Sequence, residues 1–459
     1  MICSKHYDMA IVLVVFFFAG ISSAIDAAPK DDAYHYMSNG VDDQLYNEWW
    51  YFDVADSDND SQLQIIYLLS DPENITSARK IQVHVLARRE GLPHAMGFHQ
   101  SRGYGGDRSS PMFDIDKSGF SQEEEPNLRI WGEAEDQATG EPIRWDLLYQ
   151  PAARPWFAIP VQAHIGHLKG DWMKWLVYMP SAKVTGTLKV GNSTERVQGT
   201  GYHEHAWGRF ALSDPQITRA SVSIPQEGFS LALAVIQGEE RVAFLGLEKD
   251  GKNIAFSGKQ IKLNYSNYSF DNVTASVFPS SYYLQADNGD YRLDLAVDVQ
   301  KSTALTLEYQ EPVPSSLIFQ QVSFLQGMLK SRSGEGYSFA EQGFSSFFAP
   351  WLHPIFGSIG SIKPANSSPG NITIIAKNER TGQEKPAKIA SGGFYSLDAD
   401  YQDYLANNTA PWVANGDQVR LVLSLGPGDK NSTIATVLSI NLSEEKQEAN
   451  FNLFGEATH

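Results

Sequence analysis

Cysteine is almost absent: the 459 residues hold one, Cys3, ahead of an apolar run. Lys5 and His6 precede that run, which extends over the 13 residues Met9 to Ile21 and is followed by Ser22-Ser23-Ala24. Thirteen residues fall short of the roughly 20 that span a bilayer. A basic start, a short apolar stretch and small residues after it are the layout of a secretory signal peptide. Residues 1–24 are therefore expected to be a signal peptide or anchor, and the protein to be exported across the cytoplasmic membrane. Once Cys3 leaves with the signal no thiol remains, which excludes disulfides, iron–sulfur clusters, zinc–thiolate sites and thiol nucleophiles.

Basic residues are also short, 36 against 54 acidic ones, for a net charge of −18. That balance argues against nucleic acid and against electrostatic capture by anionic headgroups, and favours a neutral or apolar partner. There is no glycine-rich phosphate loop and no Gly-x-Ser-x-Gly elbow, which disfavours nucleotide chemistry and serine hydrolysis. Helical periodicity is nearly missing as well. Its clearest stretch is Ser316 to Leu329, where Leu317, Phe319, Val322, Leu325 and Leu329 recur at helical intervals, and a covering helix is expected there.

What the chain does contain is short runs of Val, Ile, Tyr, Phe and Thr between Gly, Pro, Asn and Asp clusters, the pattern of an all-β protein. Three blocks emerge: 34–197, 198–357 and, after the Pro/Ser/Gly-rich linker 363–370, an immunoglobulin-like sandwich over 371–453. Eleven Asn-x-Ser/Thr sequons, from Asn59 to Asn441, suit a glycosylated surface outside the cytosol.

The most informative segment is Gly201-Tyr202-His203-Glu204-His205-Ala206-Trp207-Gly208. In an extended chain Tyr202 and Glu204 share one face, while His203, His205 and Trp207 share the other. A carboxylic acid beside an aromatic ring and walled by apolar residues can protonate an uncharged group and steady the resulting cation. Burial as a structural acid held by the histidines is the competing reading. Earlier in the chain, Glu48-Trp49-Trp50-Tyr51-Phe52-Asp53 supplies rings that could line a cavity or simply pack, with Glu48 and Asp53 placed to cap or to pair with arginine.

Together these two blocks resemble the lipocalin-like superfamily of carotenoid 1,2-hydratases, which also includes fungal Diels–Alderases. The resemblance covers about Tyr34 to Gly343 and leaves out the terminal sandwich. It implies two packed lipocalin-like domains with an apolar cavity near their junction, and addition of water to an isoprenoid double bond without cofactor or metal. It places Tyr202 on the family's tyrosine and Glu204 on its acid, which is an aspartate there. It puts the upstream tryptophan at Trp175, with Trp172 beside it. Trp49, Trp50, Tyr51, Trp172 and Trp207 are the expected substrate contacts, and His203 or His205 the base that deprotonates water. An apolar cavity is expected to keep such an acid protonated until substrate arrives.

Other readings stand beside this one. His203-x-His205 could begin a cupin-like metal set, although no third ligand is evident from spacing. A non-catalytic lipid or pigment carrier, or a cyclase acting on a polyene, would use the same cavity. The stretch Phe344 to Gly357, aromatic and without acid, reads as a kinked lip that either dips Phe347, Phe348 and Trp351 into a membrane surface or packs on the terminal sandwich.

Overall fold

The computed structural model describes residues 27–37, 45–56, 61–74, 79–165, 171–210, 216–237, 241–274, 276–307, 315–351, 355–360, 372–390, 393–397, 417–425, 436–441 and 447–452. The expected signal peptide 1–24 and linker 363–370 lie outside the described residues. The protein is all-β, and the described residues include no α-helix.

Two large antiparallel sheets form the body. The first has 12 strands. Within it Trp172–Val190, Ser193–Arg209, Tyr46–Asp56, Ser61–Ser70, Lys80–Arg88, Ala95–Gln100, Leu128–Asp136 and Pro142–Pro151 pair in that order, and the last returns to the first. That circuit closes a barrel, which removes the sheet edges. Its interior is filled by Trp50, Phe52, Tyr67, Phe113, Phe120 and their neighbours.

The second sheet has nine strands, from Lys252–Ser257 at one edge through Gln216–Ile224, Gly336–Trp351 and Ser315–Ser331 to Ile261–Asp271 at the other. It curls on itself, because Ile254 and Phe256 near one end share a core with Ile261 and Leu284 near the other. A third cluster joins the two sheets: Trp49, Tyr51, Trp175 and Tyr202 pack with Ile217, Ala234, Ile236 and Ile318. The central strand Tyr46–Asp56 is therefore buried on both faces, which explains its unbroken run of large side chains.

Two small sheets enclose Ile374, Tyr395, Leu421, Leu423 and Phe451 as the terminal sandwich. It touches the second sheet where Phe394 stacks on Phe270 at 4.9 Å.

Three expectations are corrected. The strand Ser193–Arg209, carrying the His/Glu motif, belongs to the first sheet, and the second begins at Gln216, so the 197/198 boundary cuts a continuous strand pair. Ser315–Ser331 is a strand: Leu317 and Phe319 face one core while Ile318 meets the domain junction, so burial on both faces mimics a helical interval. The expected lip is no lip up to Trp351, because Gly336–Trp351 is one strand paired along its length. Phe347 is 3% exposed among Phe278, Leu317 and Phe319, which favours packing over membrane insertion. Phe348 also turns inward, as described below. The side chain of Trp351 lies outside the described residues. Ile355–Gly360 then pairs within the terminal sandwich.

Candidate active site

Register places the site. Tyr46–Asp56 and Ser193–Arg209 run antiparallel with Tyr51 opposite Glu204 and Asp53 opposite Tyr202. Neighbouring strands come close at the ends of the motif. A side chain at Gly201 would collide with Val184, Tyr149 and the Asp53 carbonyl, and one at Gly208 with the Trp172 backbone. Side chains then alternate as the sequence anticipates. Trp49, Tyr51, Asp53, Tyr202 and Glu204 face the second sheet, and Trp50, Phe52, His203, His205 and Trp207 face the barrel interior.

On the junction side lies a chamber of about 30 Å3. Its apolar wall is Trp49, Ile66, Leu68, Leu305, Ile318 and Phe348. Its polar groups are Glu204, Arg219, Tyr51, His84, Gln320 and Ser346.

Glu204 is 3% exposed, and its Oε2 accepts the Tyr202 hydroxyl at 2.6 Å and Arg219 Nε at 2.7 Å. The Arg219 guanidinium lies 3.9 Å over the Tyr51 ring and 5.0 Å from that of Tyr202. Burial and the nearby carboxylate push the Tyr202 phenol well above its ordinary range. Arg219 itself stays charged: burial opposes the charge, and Glu204, Tyr51 and Tyr202 more than offset that.

Arg219 was not anticipated from the sequence. The one signal was a lone cation in the otherwise uncharged strand Gln216–Ile224. Where sequence reasoning expected desolvation to act on an isolated acid, the structure supplies that acid with a cationic partner.

A polar seam continues across the junction. Arg88 donates to Gln64 Oε1 at 2.7 Å and to the Gln320 carbonyl at 2.8 Å, and Gln64 donates to the Tyr51 hydroxyl at 2.8 Å. His84 also faces the chamber. Gln82 gives its amide hydrogens to Gln100, so its Oε1 accepts from His84 Nε2 at 3.0 Å and leaves the lone pair on Nδ1. Burial pushes His84 down to about 4, so it is neutral at pH 7.

His203 and His205 lie across the sheet from this chamber. His203 Nδ1 donates to the Tyr51 carbonyl at 3.0 Å, and Nε2 faces Asp32 Oδ2 at 3.0 Å. His205 Nε2 meets Glu48 Oε1 at 2.9 Å. Glu48 also accepts the backbone N–H groups of His35 and Tyr36 and the Tyr46 hydroxyl. Glu48 thus pairs with histidine and backbone instead of arginine. Among the described residues no three such side chains surround a common ion position.

Trp50 stacks on His205 at 4.5 Å and Trp207 on His35 at 3.9 Å, while Trp172 packs against the barrel core. Trp175 shares the junction cluster with Tyr202 without lining the chamber. Of the expected substrate contacts, then, Trp49 and Tyr51 reach the chamber and Trp50, Trp172 and Trp207 do not.

No family model matches the sequence, and no curated protein matches it. Among solved structures the chain is similar to kievitone hydratase from Nectria haematococca, with 11% identity, a TM-score of 0.46, and 66% of this chain and 88% of that one covered. It is also similar to a candidate AttH from Nitrosomonas europaea, with 15% identity, a TM-score of 0.52, and 72% of this chain and 98% of that one covered. At that identity the second likeness shows a shared fold, the lipocalin-like all-β architecture.

Proposed function

We propose that the protein is a cofactor-independent hydratase that adds water across a trisubstituted double bond of an isoprenoid chain, in a carotenoid or a prenyl lipid. The observation that carries this reading is a single carboxyl, Glu204, opening on a chamber with an apolar wall, with two donors already seated on its Oε2. Both donors bond Oε2, so Oε1 is the oxygen that delivers a proton to the alkene carbon. Tyr202 and Arg219 then bond the carboxylate that the transfer leaves.

The tertiary cation needs electron-rich surroundings, each ring being worth about 0.5–2 kcal/mol. Arg219 occupies one face of Tyr51, so Trp49 is the better-placed ring, assisted by the new Glu204 carboxylate. Water attacks the cation. His84 Nδ1 takes the proton that the new C–O–H2 group sheds, replacing His203 and His205 in that role. Solvent later carries a proton from His84 back to Glu204, and one water is consumed per alcohol formed.

In this reading the enzyme works outside the cytoplasm on chains drawn from a membrane. An accessible surface for glycans supports the location: the sequon residues Asn74, Asn192, Asn264, Asn267 and Asn272 are all exposed.

The test is incubation with geranylgeraniol or an acyclic carotene in 18O-water. An alcohol one water heavier and carrying 18O is expected. Binding without any mass change would make the protein a carrier, and a cyclised product of unchanged mass would make it a cyclase.

A further inference from the structure

A second cavity, of about 40 Å3, lies next along the same four strands. Asp53 lies two residues beyond Tyr51, and Tyr202 two before Glu204 on the paired strand. On the opposing sheet Ser221 lies two beyond Arg219, and Phe344 two before Ser346. A step of two keeps the same face of each strand, so both cavities open into one gap between the sheets. The layer between them is Tyr51, Tyr202 and Arg219, with the guanidinium stacked over the first ring.

The two cavities differ in chemistry. The second sets Asp53, Thr200, Ser221, Ser223 and Gln342 beside Ala55, Pro180, Val222 and Phe344. Three buried atoms on this wall, Asp53 Oδ2, Ser221 Oγ and Ser223 Oγ, have no hydrogen-bond partner within the protein. Buried polar atoms in folded proteins nearly always have one, and desolvation penalises those that do not. Three such atoms around a space of this size meet the requirement of a bound water, which needs about two to four polar partners.

We propose that this polar cavity is the water site of the reaction, holding the nucleophile between Asp53, Ser221 and Ser223 until a cation forms beyond the Tyr51–Tyr202–Arg219 layer. The inference rests on the hydratase reading and adds to it where the water comes from. Storing the water apart lets the chamber stay apolar while Glu204 transfers its proton.

Asp53 suits a store. Burial, opposed by the charge of Arg219, pushes its carboxyl up to about 8, so at neutral pH it binds water as a neutral group. An ionised carboxylate there would hold water more tightly and would compete with Glu204 for Arg219.

When water arrives, its oxygen bonds the cationic carbon and its extra proton goes to His84. When water does not arrive, the cation has another exit. A neighbouring C–H bond breaks, its electron pair forms a new C=C, and the proton returns to the Glu204 carboxylate. The product is then an isomerised alkene of unchanged mass.

The test is product partition on geranylgeraniol in 18O-water, using the full chain. Ser221→Val/Ser223→Val should consume substrate while the ratio of 18O-alcohol to isomerised alkene falls at least about tenfold, since two hydrogen bonds of about 0.5–1.5 kcal/mol each are lost. Asp53→Leu should shift the ratio the same way, and Asp53→Asn, which keeps a neutral hydrogen-bonding group, should recover most of the alcohol. If the double variant loses its cooperative melting, Ser223→Ala provides the same ratio. An unchanged ratio in an active protein overturns the water site and leaves the hydratase reading standing. No 18O incorporation by the wild-type chain removes the hydratase reading and the water site together.

Discussion

Arg219 Nε lies 2.7 Å from Glu204 Oε2, and that bond joins the two sheets. Both side chains are nearly sealed, at 4% and 3% exposure, and Arg219 Nη2 has no partner of its own. Removing one member of such a pair strands a buried charge, at a cost of about 3–5 kcal/mol, whereas replacing both by apolar groups is often neutral. Glu204→Leu, which leaves the buried Arg219 charge without its acceptor, should therefore lower unfolding free energy by about that amount. The double variant Arg219→Met/Glu204→Leu should recover most of it in urea denaturation at constant pH. If the double variant is as unstable as the single one, the junction depends on something other than this pair.

Glu204→Gln keeps the shape of the side chain and an oxygen to accept from Tyr202 and Arg219, while removing the transferable proton. Loss of one positioned acid costs about 10²–10⁴-fold in rate. We expect alcohol formation to fall within that range while geranylgeraniol still quenches tryptophan fluorescence, as Trp49 in the chamber wall would report. Full activity in the variant would rule out the proton-donor role.

Asp53 makes stability depend on pH in a defined direction. Its folded pKa, about 8, is above its ordinary 3.8, so between those values the native state holds a proton that the unfolded chain has released. Stability then falls as pH rises through that window and levels off beyond it, with a slope on the order of 1.4 kcal/mol per pH unit for one group. His84, pushed down from 6.5 to about 4, gives the opposite slope, but only within that lower range. From 6.5 to 8 His84 no longer opposes Asp53, and the raised His205 is common to wild type and variant, so it cancels in their difference. There, Asp53→Asn should remove this slope, so that the difference from wild type measured by chemical denaturation changes with pH, and parallel wild-type and variant curves would refute the shift.

Much of the site was legible in the sequence because strand alternation is strict. The pattern alone put Tyr202 and Glu204 on one face and His203, His205 and Trp207 on the other, as found. What spacing could not supply was partners from elsewhere in the chain. Arg219, His84 and Asp32 reach the motif only through barrel closure and sheet packing, and their local sequences look like ordinary strand or turn. The same lack of tertiary context made Ser316 to Leu329 look helical. It also placed the domain boundary within Ser193–Arg209, the strand that the first sheet needs for closure.

The histidine side of the motif yields the last prediction. His203 and His205 sit with Asp32 and Glu48 at 0% exposure inside the barrel, far from solvent and across a strand from Glu204. Burial opposes charge on His205, but its bonds to the Asp32 and Glu48 carboxylates more than compensate and raise its pKa above 6.5. A raised histidine contributes its full stabilisation below pH 6.5 and loses it as pH climbs through the folded value. His205→Phe fills the space between Trp50 and Trp207 but leaves Asp32 and Glu48 without the cation between them. It should cost about 3–5 kcal/mol in unfolding free energy. Among molecules that remain folded at low temperature, the turnover number should stay near that of wild type, since no atom of His205 reaches the chamber. A variant that melts like wild type yet no longer forms alcohol would instead return His205 to the chemistry, and would require the chamber to open toward the barrel interior.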